Sequence, residues 1–279
     1  MKKGILLVLI VAAGLFSAFA SNGDGPGADA NLKSHGSLYA NLWMQNSAEY
    51  EAICIQTYNM ALFRTKQTVE DKGLIIEGKQ AAVALDLDET VLDNRRYLGR
   101  VALTGEEYDW ETWSHWEREH GREVKLVPGA RDFLQAMDKL GVETVFISNR
   151  YHKNRGHTAR TLARLDIIPG TEAVSGENSL RLLLAKDTSD KSGRRQKVES
   201  KYHVIAWLGD NLGDMPMNAR TETRKARHEN LRKHKQELGR TWFVFPNPVY
   251  GHWSKYLDLK KPQEHLETPD ACGPDCPLR

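Results

Sequence analysis

The sequence predicts an α/β fold, a parallel sheet flanked by helices and carrying a small helical, aromatic cap. Three observations carry this. Four short apolar runs, at 81–87, 144–148, 204–208 and 241–245, have the length and density of buried strands. Helical patterns separate them, the arrangement that builds parallel sheets. Polar, reactive side chains follow three of the runs directly, where ligands sit in such sheets.

Residues 1–20 begin with Lys2 and Lys3 and continue through an apolar run at 5–11. They end in Ala18-Phe19-Ala20, the small-x-small pattern of a signal peptidase site. The apolar run is short for a membrane span, which needs about 20 residues. A signal peptide cleaved after Ala20 is expected, and with it a periplasmic or secreted protein without a stable membrane anchor. Residues 21–37, rich in Gly, Asp, Asn and Ser, read as a flexible leader. The body of the fold is expected over 38–260 and a tail over 261–279.

From 38 to 66 the apolar residues recur at helical spacing, which predicts one N-terminal packing helix. Residues 94–127 follow the first strand and hold Tyr97, Tyr108, Trp110, Trp113 and Trp116. With the N-terminal helix they form the expected cap. Between 128 and 140, Ala130, Phe133, Leu134 and Met137 share one helical face; Pro128 suits the first turn and Gly141 the stop. The charged stretch 220–240 reads as a solvated helix face.

Removing residues 1–20 takes away two lysines and no acid, leaving 37 basic and 37 acidic residues. A net charge near zero gives no support for binding a nucleic-acid polymer. Two cysteines in a tail, Cys272 and Cys276, are too few to assemble a zinc site. Cys272 and Cys276 have the spacing for a small closed loop, and Cys54 reads as a buried thiol. No Gly-x4-Gly-Lys-Ser/Thr loop is present, which disfavours a nucleoside triphosphatase.

The chemistry gathers at the strand ends. The first run closes in Asp86-Leu87-Asp88-Glu89-Thr90. Residues two apart in an extended chain point the same way, so two carboxylates converge. Close like charges resist double ionisation, which a divalent cation or one retained proton relieves. One carboxylate can then attack phosphorus while the other works as acid and base. Ser148-Asn149-Arg150 offers a hydroxyl and backbone N–H groups for phosphate oxygens. Gly209-Asp210-Asn211-Leu212-Gly213-Asp214 offers two more acids, oxygen donors of the kind magnesium prefers. Lys191 or Lys186 can neutralise the nucleophile and phosphate. Each piece alone has an ordinary explanation as a cap or a turn. Their ordered combination points to a site.

At these residues the sequence resembles the haloacid-dehalogenase-like (HAD) superfamily of phosphohydrolases. It is similar above all to the class C acid phosphatases, which include bacterial lipoprotein 5′-nucleotidases. The run 84–94 with Tyr97 matches the first signature of that group, and 204–214 matches the second. Further similarity lies in 43–58, 128–130, 146–150 and 246–253.

The resemblance implies a HAD-like, Rossmann-type sheet and an acid phosphatase acting on small phosphomonoesters, nucleoside 5′-monophosphates foremost. It implies that Asp86 is the nucleophile, that Asp88 is the general acid/base, and that Thr90 orients the loop. Ser148 and Asn149 bind phosphate, and Lys191 neutralises charge. Mg2+ is held by Asp86, Asp88, Asp210 and Asp214. Trp113 or Trp116, with Tyr250, match the aromatic residues that hold the base, though packing the cap is an equal explanation for them. Three departures stand out. Met215 replaces a common aromatic residue, the lipoprotein cysteine is missing, and the tail from Pro262 has no counterpart.

The same residues suit a phosphotransferase that passes phosphate to an alcohol or nucleoside. They also suit a non-catalytic nucleotide-binding surface protein, although binding alone does not need Asp88. Homo-oligomerisation is left open.

Overall fold

The computed structural model describes residues 28–71, 78–105, 108–167, 176, 179–217, 221, 223–259 and 261–266, with the side chains of 28–36 and 263 outside that set. The expected signal peptide, the leader up to residue 27 and most of the tail, with Cys272 and Cys276, lie outside it. Cys54 is buried.

Among the described residues, seven strands and eight main helices follow in order. They are α1 (Ala28–Asn46), α2 (Ala48–Glu70), β1 (Gln80–Leu85), β2 (Leu92–Asp93), α3 (Arg95–Thr104), α4 (Trp110–Glu119), β3 (Lys125–Leu126), α5 (Ala130–Lys139), β4 (Glu143–Tyr151), α6 (Arg155–Arg164), β5 (Leu182–Ala185), α7 (Ser192–Lys201), β6 (Tyr202–Gly209), α8 (Arg224–Lys233) and β7 (Trp242–Val244). The main sheet has the order β5-β4-β1-β6-β7, and every pairing in it is parallel. β1 is therefore central, and the chain crosses to β4 on one side of it and to β6 on the other. A crevice opens at that reversal, beyond the carboxyl ends of the strands.

Side chains of β1 alternate between two cores. Val83 and Leu85 join a cluster with Tyr58 and Ala61 of α2 and with Phe133, Leu134 and Met137 of α5. Ala82 and Ala84 face the other way, toward Val198 of α7, Trp207, Met215 and Trp242. Met215, the departure in the second signature, is fully buried there. A sheet covered on both faces explains why its strands read as continuous apolar runs rather than alternating ones.

Four sequence expectations change. The single helix over 38–66 is two helices. Ser47 leaves the helical conformation, and its hydroxyl accepts from the Tyr50 N–H at 3.1 Å, with Glu49 and Glu51 in the new first turn. That is an N-cap with acids placed favourably against the helix dipole. Residues 28–37 of the expected leader are helical, because α1 continues back to Ala28 and docks on α3. The helix expected from Pro128 starts at Ala130; Gly129 sits in the left-handed region (φ 87°), and Gly141 (φ 66°) follows the helix end as expected. A fifth sheet strand, β5, and a small antiparallel pair, β2–β3, were absent from the sequence reading. Four apolar residues such as those of β5 do not distinguish a strand from a helix turn.

α8 is largely exposed apart from Arg227, in keeping with a solvated face. Among the described residues, no helix is long and apolar enough to cross a membrane. Beneath β1, Tyr58 packs on Phe133 and Phe245 with ring centroids 5.2 and 4.7 Å apart. Phe133→Ala should remove about 3–5 kcal/mol of folding stability. Denaturant midpoints at an unchanged slope check this; a loss below about 1 kcal/mol would mean the ring is not part of the core.

Candidate active site

Asp86 follows β1 and stays in the sheet through its N–H, which donates to the Leu208 carbonyl of β6 at 2.9 Å. The chain then folds tightly on the Leu87 carbonyl, which accepts from the N–H groups of Thr90, Val91 and Leu92. Glu89 takes a left-handed conformation inside this turn (φ 55°), uncommon for a residue with a side chain. The Tyr58 hydroxyl supports the turn from below by donating to the Thr90 carbonyl at 2.5 Å. Thr90 thus shapes the loop through its backbone, and its buried Oγ1 has no hydrogen-bond partner among the described residues.

β6 exits through Gly209. A side chain there would place Cβ 2.4 Å from Cβ of Asp214, so only glycine lets the next loop fold back. Asn211 and Asp214 then cap each other: Asn211 Oδ1 accepts from Gly213 N at 3.0 Å, and Asp214 Oδ2 accepts from Asn211 N at 2.9 Å. The result brings carboxylate oxygens of Asp86, Asp210 and Asp214 within 4.8 Å of one another.

One lysine enters this group. Lys191, immediately before α7, donates from Nζ to Asp86 Oδ1 and to Asp214 Oδ1, both at 2.6 Å. Burial acts to lower its ammonium pKa, but the two carboxylates hold it above the usual lysine range. Lys186 is exposed and takes no part. Burial pushes Asp86 up to about 7, with Asp214 and Asp88 adding to the rise and Lys191 opposing it. Asp210 is raised well above the usual range by burial, then by Asp214 and Asp86. Its Oδ2 accepts from Asn247 Nδ2 at 2.6 Å.

Asp88 is balanced separately. Arg150 Nε donates to Asp88 Oδ1 at 2.8 Å, Asn94 Nδ2 donates to the same oxygen at 2.9 Å, and the Ser148 hydroxyl reaches Oδ2 at 3.4 Å. Arg150 is 1% exposed. Three carboxylates against one ammonium therefore leave the Asp86–Asp210–Asp214 group with two excess negative charges once ionised. An all-oxygen donor set with that deficit fits a divalent cation.

The sequence-predicted residues Asp86, Asp88, Ser148, Lys191, Asp210 and Asp214 thus meet at one end of the sheet. Asn149 is beside them, its Oδ1 accepting from Arg194 at 2.7 Å. Trp113 and Trp116 require correction as stacking surfaces. Both are buried. Trp116 lies between His120 and Tyr97, and Trp113 between Tyr97 and the Arg150 guanidinium. The amphipathic helix α4 turns these two rings inward to seat the cap.

Tyr250 keeps 38% exposure while its hydroxyl donates to Glu89 Oε2. Open aromatic surface in the cap belongs instead to Tyr108 and Trp110, at 55% and 48% exposure, with Trp110 against Tyr151 at 4.7 Å. Tyr108 packs edge-on against Trp110, with ring centroids 5.7 Å apart.

Sequence reasoning missed Glu89, Asn94, Arg150, Arg194 and Asn247 as working parts. Four of them stand in stretches that had drawn notice, and Arg194 follows Lys191 by three residues, but nothing local names their partners. A cleft of about 520 Å³ lined by Arg122, Lys125, Arg131 and Arg164 shares no residue with the site.

Without a divalent cation, Asp86 at about 7 and Glu89 at about 8 keep protons that the unfolded chain has already released. Folding then takes up protons, so stability should fall as pH rises from about 4 to about 8. Thermal melts in EDTA should show the midpoint dropping across that range, and an added divalent cation should raise it most at the alkaline end. A metal-free midpoint that climbs with pH would contradict the crowded carboxylates.

Comparison with known proteins agrees with this geometry. The family described as HAD superfamily, subfamily IIIB (acid phosphatase) matches residues 27–253. A structure of the class C acid phosphatase from Bacillus anthracis is similar with a TM-score of 0.72 and 27% identity, covering 86% of this chain and 99% of that one. The crystal structure of that enzyme with tungstate bound gives 0.74 and 28% over the same shares. With the fold, the paired acidic loops and the family match in agreement, this chain belongs to subfamily IIIB of the HAD superfamily, the acid phosphatases.

Proposed function

We propose that this phosphatase hydrolyses small phosphomonoesters, nucleoside 5′-monophosphates foremost, through a phosphoaspartyl intermediate on Asp86 and with Mg2+. The observation that carries the reading is the division of the acids. Asp86 shares a two-charge deficit with Asp210 and Asp214, while Asp88, two residues on, has its own arginine. Two carboxylates in different environments suit two different tasks.

In this reading Asp86 attacks phosphorus, an O–P bond forms to its carboxylate, and the ester P–O bond breaks. The departing alkoxide takes a proton from Asp88, which enters this step protonated and leaves it as the carboxylate paired with Arg150. Asp88 then receives a proton from water as that water attacks the acyl phosphate, releasing inorganic phosphate and restoring Asp86. Lys191 offsets charge on Asp86 and the phosphoryl oxygens, and Ser148 and Asn149 hold those oxygens. Asp86, Asp210 and the Asp88 backbone carbonyl would hold Mg2+, which supplies electrostatic stabilisation of the transferring group. Asp214 acts from behind, since its two oxygens already serve Lys191 and the Asn211 N–H. The Bacillus anthracis relative binds tungstate, an oxyanion shaped like phosphate, which supports a phosphoryl cradle of this kind.

For the leaving group, the exposed rings of Trp110, Tyr108 and Tyr250 are the candidates on which a base can stack. Stacking is worth about 1–3 kcal/mol and tolerates any base. The pattern of residues 1–20 supports a periplasmic or secreted enzyme.

Asp86→Asn should lower phosphate release from any ester by at least about a thousandfold, because the attacking oxygen is lost. Asp88→Asn should slow alkyl esters far more than p-nitrophenyl phosphate, whose leaving group needs little protonation. Substantial turnover by the first variant, or equal effects on both esters in the second, would refute these roles. Trp110→Ala should raise KM for a nucleoside monophosphate by about 5- to 100-fold, the equivalent of one lost stack, and move glycerol phosphate much less. Equal shifts for both substrates would remove Trp110 from base recognition.

A further inference from the structure

The segment after β7 returns to the site and grips both acidic loops. Its first contact is the Phe245 N–H, which donates to the Gly209 carbonyl at 2.9 Å. Asn247 then donates to Asp210 Oδ2, while its own Oδ1 accepts from the N–H groups of Val249 and Tyr250 at 3.0 and 3.2 Å. That turn aims the Tyr250 hydroxyl at Glu89 Oε2.

Glu89 is 1% exposed and carries the one left-handed backbone of the Asp86–Asp88 turn. Its other oxygen accepts from Asn94 N and Nδ2, at 3.0 and 3.1 Å. Asn94 Nδ2 also donates to Asp88 Oδ1, and its Oδ1 accepts from Trp116 of the cap at 2.9 Å. An unbroken hydrogen-bonded chain therefore runs Tyr250–Glu89–Asn94–Asp88. The loop that starts this chain also holds Asp210.

A residue held in a disfavoured backbone conformation persists only where its surroundings over-determine it. Glu89 has no place in the proton transfers described above. We propose that Glu89 is a positioning residue of the phosphatase reaction and Tyr250 its latch. Together they hold the Asp86–Asp88 turn in register with the Asp210 loop. The inference rests on the reading of Asp86 and Asp88 as the reacting carboxylates. It gives Tyr250 a task that does not depend on the leaving group, separate from any stacking on its ring.

Tyr250→Phe keeps the ring and removes the latch. In the full-length enzyme with Mg2+, kcat should fall about 10- to 100-fold, the scale expected for reacting groups displaced by up to 1 Å. The fall should be similar for glycerol phosphate and for a nucleoside monophosphate, with KM within about twofold on each. Glu89→Ala should lose as much or more, and Glu89→Gln, which can still accept from Asn94, should recover most of it. Because latch and positioner act as one unit, Tyr250→Phe combined with Glu89→Ala should be no more than about twofold slower than the worse single variant.

A wild-type kcat for Tyr250→Phe on glycerol phosphate would overturn the proposal. So would a defect confined to KM for the nucleotide, which would leave Tyr250 as a stacking surface only. Losses that multiply in the double variant would also overturn it. Should Glu89→Ala fail to fold, Tyr250→Phe and Glu89→Gln decide alone. Failure of the reading beneath shows elsewhere, as full activity in Asp86→Asn.

Discussion

The architecture depends on keeping three carboxylates, Asp86, Asp210 and Asp214, close together, with Asp86 buried and Asp210 half-buried. Their oxygens lie within 4.8 Å of one another, at the ends of two neighbouring parallel strands. Like charges that close repel strongly in a poorly polarisable interior. Lys191 relieves part of the repulsion, and the rest is an affinity for a cation. The rigidity comes from the strands, which are covered on both faces and cannot spread apart. Gly209 serves the same end, since any side chain there would push Asp214 away.

A second electrostatic problem, that of Asp88, is solved without sharing the first solution. Arg150, at the far end of β4, reaches it across the crevice, and Asn94 and Ser148 complete its hydrogen bonds. A buried ion pair loses much of its attraction to desolvation; Arg150 bonds Asp88 through Nε and Asn94 through Nη2, while its buried Nη1 has no hydrogen-bond partner among the described residues. The cap takes part, because Trp116 bonds Asn94 and Trp113 lies under Arg150. Trp113 and Trp116 of α4 thus help to set the position of Asp88. Tyr108 and Trp110, by contrast, keep about half of their surface open to solvent.

Much of this was legible in order along the chain. The acid pair at the end of the first apolar run, the Gly209–Asp214 loop and the Ser148 hydroxyl all appeared where a parallel sheet demands them. The cap at Ser47 was also present as a signal, a serine followed by two glutamates in the next four residues, although the apolar periodicity on either side concealed it. Other features left no local trace. Arg150 and Asn247 look like ordinary polar residues after strands. Trp113 and Trp116 sit on a helix whose inward face cannot be assigned until its neighbours are known.

The sequence by itself determined the strand and helix alternation, the order of the acidic loops and the class of chemistry. These follow from short-range rules: the two-residue period of a strand, the steric freedom of glycine and the clustering of polar groups at strand ends. Only the tertiary structure decided that Lys191 rather than Lys186 meets Asp86, and that Asp88 pairs with Arg150. It also decided that two tryptophans are buried and that Tyr250 returns to Glu89. Those contacts join residues 62, 105 and 161 positions apart. At such separations the path of the chain selects the partner, because residue type alone leaves many candidates of equal charge and reach.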